Sequence, residues 1–172
     1  YRAMQKALEA GKVRAIGLSN FVDARFVDLV ENMEVKPAVL QLETHVFSQQ
    51  KRMRELMAPY GTRLMAWAPL AEGRNGIFTH PTLTAIGAKY GKTAAQTALR
   101  FLMAEDVIAI PKSVHRERLV ENFSIDDFEL SAEDLDAIRA LDGGKPMFAD
   151  FNDPALAKFL LEYDAKFNPE RQ

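Results

Sequence analysis

The chain reads VLQLE from Val39 to Glu43, a short run that begins two residues after Pro37 and is followed by helical spacing. Leucine alternates with other residues along this run, which is the period of a β-strand. Working outward from it, similar runs stand at residues 13–20, 63–68 and 107–110. Four predicted strands therefore alternate with helical patterns, and this alternation indicates parallel β/α units.

Helical spacing of apolar residues accounts for most of the remaining chain. It predicts helices at residues 1–10, 23–32 and 49–60, on either side of Gly91, and at 116–123, 131–141 and 154–167. Ser131 followed by Asp134 resembles a capping box in which Asp takes the place of Glu. Residues 70–78 carry glycines and are predicted to form a loop.

Two architectures fit this α/β pattern: an open doubly wound sheet, or part of a closed eight-stranded barrel. A complete barrel takes roughly 250 residues, whereas this chain has 172 and four predicted strands. No G-x-G-x-x-G follows any of those strands, which removes the main support for a dinucleotide-binding open sheet. The chain starts at Tyr1 inside a helical pattern, so we expect a piece of a larger protein.

The composition argues against several classes of function. Lysine and arginine total 22 against 24 acidic residues, a net charge of −2, so no broad attraction to nucleic acid or anionic membrane is expected. No apolar run approaches the roughly 18–20 residues that span a bilayer. The chain has no cysteine and three histidines without H-x-x-x-H spacing, so we expect no metal centre. Its start shows no signal-peptide pattern, and we expect a cytoplasmic protein.

Polar residues stand at the ends of the predicted strands, where parallel β/α folds collect their functional groups. Ser19 and Asn20 close the first strand. Gln41 lies on the second, on the opposite face from Leu40 and Leu42. Hydroxyl and amide groups both donate and accept hydrogen bonds, so these three suit a ligand that is itself a carboxamide. Ordinary loop capping by the same residue types is the alternative.

Trp67 is the only tryptophan and ends the third predicted strand. At a strand end its ring offers a flat face on which a ligand ring can stack. The alternative is an aromatic residue of the hydrophobic core.

The fourth strand leads into IPKSVHRERLVEN over residues 110–122. Lys112 and Ser113 precede a predicted helix N-terminus, whose free N–H groups attract anions. One face of that helix carries, at i, i+3 and i+4, Arg118, Glu121 and Asn122. Lysine, serine and an arginine fork suit a phosphate, and an acid beside an amide suits the edge of a base. A solvated, charged helix is the alternative.

Five motifs in order along the chain resemble the aldo-keto reductases, in particular bacterial-type members. They are GKVRAIGLSNF at 11–21, QLE at 41–43, WAPL at 67–70, IPKS at 110–113 with Arg118, Glu121 and Asn122 behind it, and FELSAED at 128–134. The resemblance implies the C-terminal half of a (β/α)8 TIM barrel, about its last four strand–helix units. It divides the chain into the end of a helix at 1–11, four β/α units at 12–142 and a tail at 143–172.

The same resemblance implies NADPH-dependent reduction of small aldehydes or ketones to alcohols. The implied cofactor positions run from the nicotinamide to the adenine. They are Ser19, Asn20 and Gln41 at the carboxamide, Trp67 stacked on the ring, Ala68 in place of the usual serine, Leu70 at the start of the loop over the pyrophosphate, Lys112, Ser113 and Arg118 at the 2′-phosphate, and Glu121 and Asn122 at the adenine.

The family's catalytic Asp, Tyr, Lys and His lie on its first four strands, upstream of everything in this sequence. None of the four tyrosines stands at the end of a predicted strand, and His45, just past the second strand, is expected to be structural. We therefore predict no catalytic residue here, and a chain that is inactive without the missing N-terminal half of the barrel. The alternative is a non-catalytic half-barrel that serves as a nucleotide-binding or assembly module.

Overall fold

The computed structural model describes residues 1–167, so the last five residues of the predicted tail lie outside it. The strands are β1 (Gly17–Ser19), β2 (Val39–Glu43), β3 (Arg63–Trp67) and β4 (Ile108–Ala109). The helices are α1 (Arg2–Glu9), α2 (Ala24–Asn32), α3 (Lys51–Met57), α4 (Pro81–Lys89), α5 (Ala94–Ala104), α6 (Arg116–Phe123), α7 (Ala132–Arg139) and α8 (Pro154–Phe167). Short 3₁₀ segments occupy Ala58–Tyr60 and Ala71–Thr79.

The four strands form one parallel sheet in the order β1-β2-β3-β4, the order of the chain. A doubly wound sheet reverses its strand order at a switch point, and no such reversal occurs among the described strands. The sequential order is that of neighbouring strands in a (β/α)8 barrel. Because all four run the same way, their carboxyl ends meet at one edge of the sheet.

The hydrophobic core lies between one face of this sheet and the helices. Alternation along β2 and β3 turns Leu40, Leu42, Leu64 and Ala66 into the core, where each is at most 4% exposed. Phe26 of α2 is fully buried there and meets the Tyr60 ring edge-on at 5.8 Å. The opposite face carries Gln41 and Met65, which are half-buried. This division confirms the prediction that Gln41 lies on the opposite face of β2 from Leu40 and Leu42.

The two outer strands are shorter than the sequence predicts. The paired register of β1 begins at Gly17 opposite Val39, so residues 13–16 lie outside the strand, although the Ala38 N–H still donates to the Ile16 carbonyl at 2.8 Å. In β4 only Ile108 and Ala109 pair with β3, and Pro111 closes the strand.

Two predicted helix ends are corrected. The Ser131 Oγ accepts the Asp134 N–H at 3.2 Å, as in a capping box, but the Asp134 carboxylate turns away to the Tyr90 hydroxyl at 2.6 Å. A buried carboxylate is stabilised better by this charged hydrogen bond than by a solvated backbone amide. The helix after Ser131 ends at Arg139 rather than Leu141.

A complete capping box, which the sequence analysis missed, opens α5. The Thr93 hydroxyl accepts the Gln96 N–H, and the Gln96 side chain accepts the Thr93 N–H. The predicted loop at 70–78 is also partly helical, since it contains 3₁₀ turns interrupted by left-handed residues such as Glu72 and Asn75. None of the helices described for residues 1–167 has the length and apolarity needed to cross a membrane.

Candidate functional site

Three predicted polar residues meet at the carboxyl ends of β1 and β2. Ser19 and Gln41 are direct neighbours in the parallel register. The next residue, Asn20, donates its N–H to the Gln41 carbonyl at 2.9 Å. Asn20 has a left-handed backbone, with φ of 58°, a conformation that asparagine tolerates better than most residues. The turn after β1 therefore holds the Asn20 side chain at the mouth of the sheet.

Each of the two amide side chains at this mouth uses one of its polar atoms in a contact within the protein. Asn20 Oδ1 accepts a hydrogen bond from Trp67 Nε1 at 2.9 Å, which leaves the Asn20 NH₂ group as a donor. Gln41 Nε2 lies 3.1 Å from the sulfur of Met65, a weak acceptor, which leaves Gln41 Oε1 as an acceptor. Together with the exposed Ser19 hydroxyl, the mouth offers both hydrogen-bonding roles side by side.

Trp67 lies at the mouth and not in the core. Its side chain is half-buried, and its ring packs at 54° and 5.6 Å against Phe148 from the C-terminal tail. Ala68 then turns the chain with a φ of 50°, and its carbonyl accepts the Ala71 N–H at 2.8 Å. This turn directs Leu70 away from the mouth and toward a second cavity.

The second cavity has a volume of about 610 Å³ and lies between the fourth strand end, α6 and the start of α5. Its lining residues are Leu70, Phe78, Thr93, Ala95, Lys112, Ser113, Val114, His115, Arg118, Glu121 and Asn122. All five residues that the sequence analysis selected beyond the fourth strand contribute to this lining. These five residues therefore share the wall of one cavity, together with apolar side chains such as Phe78 and Val114.

The charged residues that line this cavity differ in how exposed they are. Lys112 and Arg118 are exposed and supply its positive charge. Glu121 is half-buried, and its carboxylate accepts the Thr93 hydroxyl at 2.6 Å. Ser113 forms a local turn, with its Oγ accepting the His115 N–H at 3.0 Å. Within α6, Arg118 is therefore exposed while Glu121 is held by a hydrogen bond to Thr93.

The His45 ring is enclosed within the protein. It is fully buried. The Phe47 N–H donates to Nδ1 at 3.2 Å, so the ring proton is on Nε2, which lies 3.2 Å from Glu43 Oε1. Both ring nitrogens are engaged within the protein, which agrees with the expected structural role.

Glu43 is a residue of this region whose partners the sequence analysis missed. Its side chain is 3% exposed, and its two oxygens accept the N–H groups of Met147 at 2.5 Å and Phe148 at 3.1 Å. Burial alone would raise the pKa of Glu43, but hydrogen bonds from His45 and from these two amides outweigh it and hold the pKa below its ordinary value. The alternation along β2 placed Glu43 on the Gln41 face, which was the available signal, but nothing local indicated a partner in the tail.

The chain resembles known proteins along most of its length. The Aldo/keto reductase family matches residues 1–143. An aldo-keto reductase of Mycobacterium sp. (strain KMS) is 39% identical over 150 residues, covering 87% of this chain and 54% of that protein. Glyoxal reductase of Bacillus subtilis (strain 168) is 42% identical over 141 residues, covering 82% of this chain and 50% of that protein.

Solved structures share the fold as well. MGS-M4, an aldo-keto reductase from a Medee basin deep-sea metagenome library, superimposes with a TM-score of 0.85 and 38% identity, covering 89% of this chain and 57% of that one. A variant of Gox0644 in complex with NADPH superimposes with a TM-score of 0.83 and 34% identity, covering 88% of this chain and 55% of that one. The chain spans about half the length of the curated relatives it matches.

Proposed function

This chain belongs to the aldo/keto reductase family, and we propose that it supplies the C-terminal, NADPH-binding half of a (β/α)8 barrel that reduces small aldehydes or ketones. In this proposal residues 1–11 end a helix, 12–142 form four β/α units, 143–172 form the tail, and the protein works in the cytoplasm. The observation that carries it is the cavity that unites Lys112, Ser113, Arg118, Glu121 and Asn122.

The mouth of the sheet fits the nicotinamide end of the cofactor. A carboxamide has one acceptor oxygen and an NH₂ donor, and the Asn20 NH₂ group and Gln41 Oε1 offer the complementary pair. Ser19 adds a hydroxyl that serves in either role. Trp67, fixed by its hydrogen bond to Asn20, would present its ring for stacking.

The second cavity fits the adenosine end. Lys112, Ser113 and Arg118 provide two positive charges and a hydroxyl for the 2′-phosphate. Glu121 and Asn122 would contact the adenine, with Glu121 oriented by Thr93. Ala68 and Leu70 start the segment that would cover the pyrophosphate between the two ends.

When bound, a reduced nicotinamide would supply the hydride for the carbonyl carbon, and the carbonyl oxygen would need a proton from the protein. Ser19, Asn20, Gln41 and Trp67 orient the ring, and none of them is a suitable acid. Both nitrogens of His45 are engaged with Glu43 and Phe47. We therefore assign no catalytic residue to this chain and place the proton donor in the N-terminal half of the barrel.

The test compares the 172-residue chain with the longer protein that contains it, by following NADPH consumption with a panel of small aldehydes. We expect turnover only from the longer protein, since a positioned acid contributes roughly 10²–10⁴-fold. In the longer protein Gln41→Ala should weaken NADPH binding, while Gln5→Ala on α1 should not.

Comparable turnover by the short chain, abolished by His45→Ala, would contradict the assignment of the proton donor. NADPH binding without turnover by either form would favour the non-catalytic module.

A further inference from the structure

A segment of the tail, residues 144–152, crosses the carboxyl ends of β1, β2 and β3, and is here called the strap. It covers a cavity of about 310 Å³ whose wall includes Asn20, Asp23 and Glu43. At its far end the Asn152 side chain donates to Asp23 at 2.6 Å. At its near end the Gly144 N–H donates to Asp142 at 3.2 Å. Carboxylates therefore hold the strap at its two ends and, through Glu43, in its middle.

The middle anchor is the buried one. Glu43 receives three hydrogen bonds, from His45 Nε2 and from the N–H groups of Met147 and Phe148. A buried carboxylate is costly unless such donors satisfy it. If the strap lifts, Glu43 loses two of its three donors, so the position of the strap and the state of Glu43 are coupled.

The strap residue fixed by this anchor is Phe148. Its ring packs on Trp67 at 5.6 Å and lies edge-on to His45 at 6.1 Å. The guanidinium of Arg74, from the 3₁₀ segment Ala71–Thr79, lies over the same ring at 4.6 Å. Phe148 therefore connects the mouth of the sheet with the segment that leads to the second cavity.

We propose that Glu43 is a positioning residue for the reaction: it clamps the strap through the amides of Met147 and Phe148, so that the Phe148 ring forms a fixed wall of the opening beside Trp67. The inference rests on the proposed function, because the opening is the entry of the carbonyl substrate. The wall excludes water from one side of the opening and offers apolar surface to the substrate's substituent. Glu43 itself does not touch the reacting atoms.

Glu43→Gln is the sharpest change. An amide of nearly the same size replaces one acceptor oxygen by an NH₂ donor, which must then face either the Phe148 N–H or the N–H groups of Met147 and His45, so that a strap amide loses its acceptor in both orientations. Glu129→Gln is the matched control, since its side chain is 90% exposed. The first measurement is hydrogen–deuterium exchange in the full-length protein, without cofactor or carbonyl, on peptides that contain residues 146–149.

We expect the Met147 and Phe148 amides to exchange about 10- to 100-fold faster in Glu43→Gln than in the wild type and unchanged in Glu129→Gln. If both amides exchange at the wild-type rate in the folded Glu43→Gln protein, the proposal that Glu43 clamps the strap is wrong. The exchange measurement needs no cofactor. Faster exchange therefore supports the clamp even if the protein reduces no carbonyl, and the absence of turnover counts only against the proposed function.

Phe148→Ala is a second test, which does not depend on whether Glu43→Gln folds. It removes the ring of the wall and leaves Glu43 and both strap amides in place. We expect the KM for the carbonyl to rise about 3- to 10-fold, with kcat and the Kd for NADPH within about twofold of wild type. An unchanged KM in Phe148→Ala contradicts the proposal that the Phe148 ring forms a wall of the opening. A change confined to kcat contradicts it as well.

Discussion

Trp67 Nε1 donates a hydrogen bond to Asn20 Oδ1 at 2.9 Å, which joins the end of β3 to the turn after β1 across the intervening strand. The bond fixes the tilt of the only tryptophan in the chain. It also fixes which way the Asn20 amide points, and so leaves the NH₂ group for a ligand. Two residues 47 positions apart therefore define one hydrogen-bonding surface.

Replacing Trp67 by phenylalanine keeps an aromatic face but removes the N–H. We expect the Kd for NADPH to rise about 2- to 10-fold, because Asn20 loses the neutral hydrogen bond that orients it. Fluorescence titration of NADPH in the full-length protein measures this. Tyr60→Phe is the control, since it removes a polar group that bonds to Glu31, away from the mouth. Equal weakening by both variants would argue against the role of Trp67.

Arg118→Ala should reduce discrimination between NADPH and NADH. Hydrogen bonds to a charged group are worth about 1.5–3 kcal/mol, so the affinity for NADPH should fall about 10- to 150-fold while that for NADH stays nearly constant. Arg116→Ala, an exposed arginine at the start of the same helix, is the matched control. Equal affinity of the unmodified protein for both cofactors would refute the assignment of a 2′-phosphate site.

Glu105 should contribute stability that depends on pH. Burial alone would raise its pKa, but hydrogen bonds from Arg54 at 2.7 Å and from Arg139 hold the pKa below its ordinary value. Since the folded-state pKa is the lower one, the contribution is full above the unfolded-state pKa of about 4.3 and is lost as the pH falls through the folded-state value.

Chemical unfolding of Glu105→Gln at neutral pH should therefore show a loss of about 1–3 kcal/mol, which shrinks as the pH is lowered below about 4. Glu129→Gln is the control: its exposed carboxylate lies 3.9 Å from Arg100, and the variant should lose less than about 1 kcal/mol at any pH. A difference between Glu105→Gln and wild type that grows on acidification would contradict this sign.

The 172-residue chain expressed alone should not behave as a monodisperse monomer. Within the described residues β1 and β4 are sheet edges without a further partner strand, and such edges pair with other chains. Light scattering should show dimers or larger species. A sharp cooperative melt of a monodisperse monomer would count against the proposed half-barrel.

Local patterns in the sequence determined the elements that depend on near neighbours. The run from Val39 to Glu43 is a strand with the predicted bounds, and the helix Arg116–Phe123 also agrees with the prediction. Both follow from periodicity and from prolines or polar residues at their ends. The order of strands and helices likewise favoured parallel units before any contact was known.

Tertiary structure alone decided which distant groups meet. Met147 and Phe148 bind Glu43 from more than 100 positions away, and Asp134 turns to Tyr90 at a separation of 44. No periodicity encodes such pairs, because a buried carboxylate takes whichever donors the packed chain brings within hydrogen-bonding distance. The outer strands are shorter than predicted for a related reason: a β-strand exists only where a neighbouring backbone can pair with it, and only Gly17–Ser19 and Ile108–Ala109 of those two runs lie in register with a partner strand.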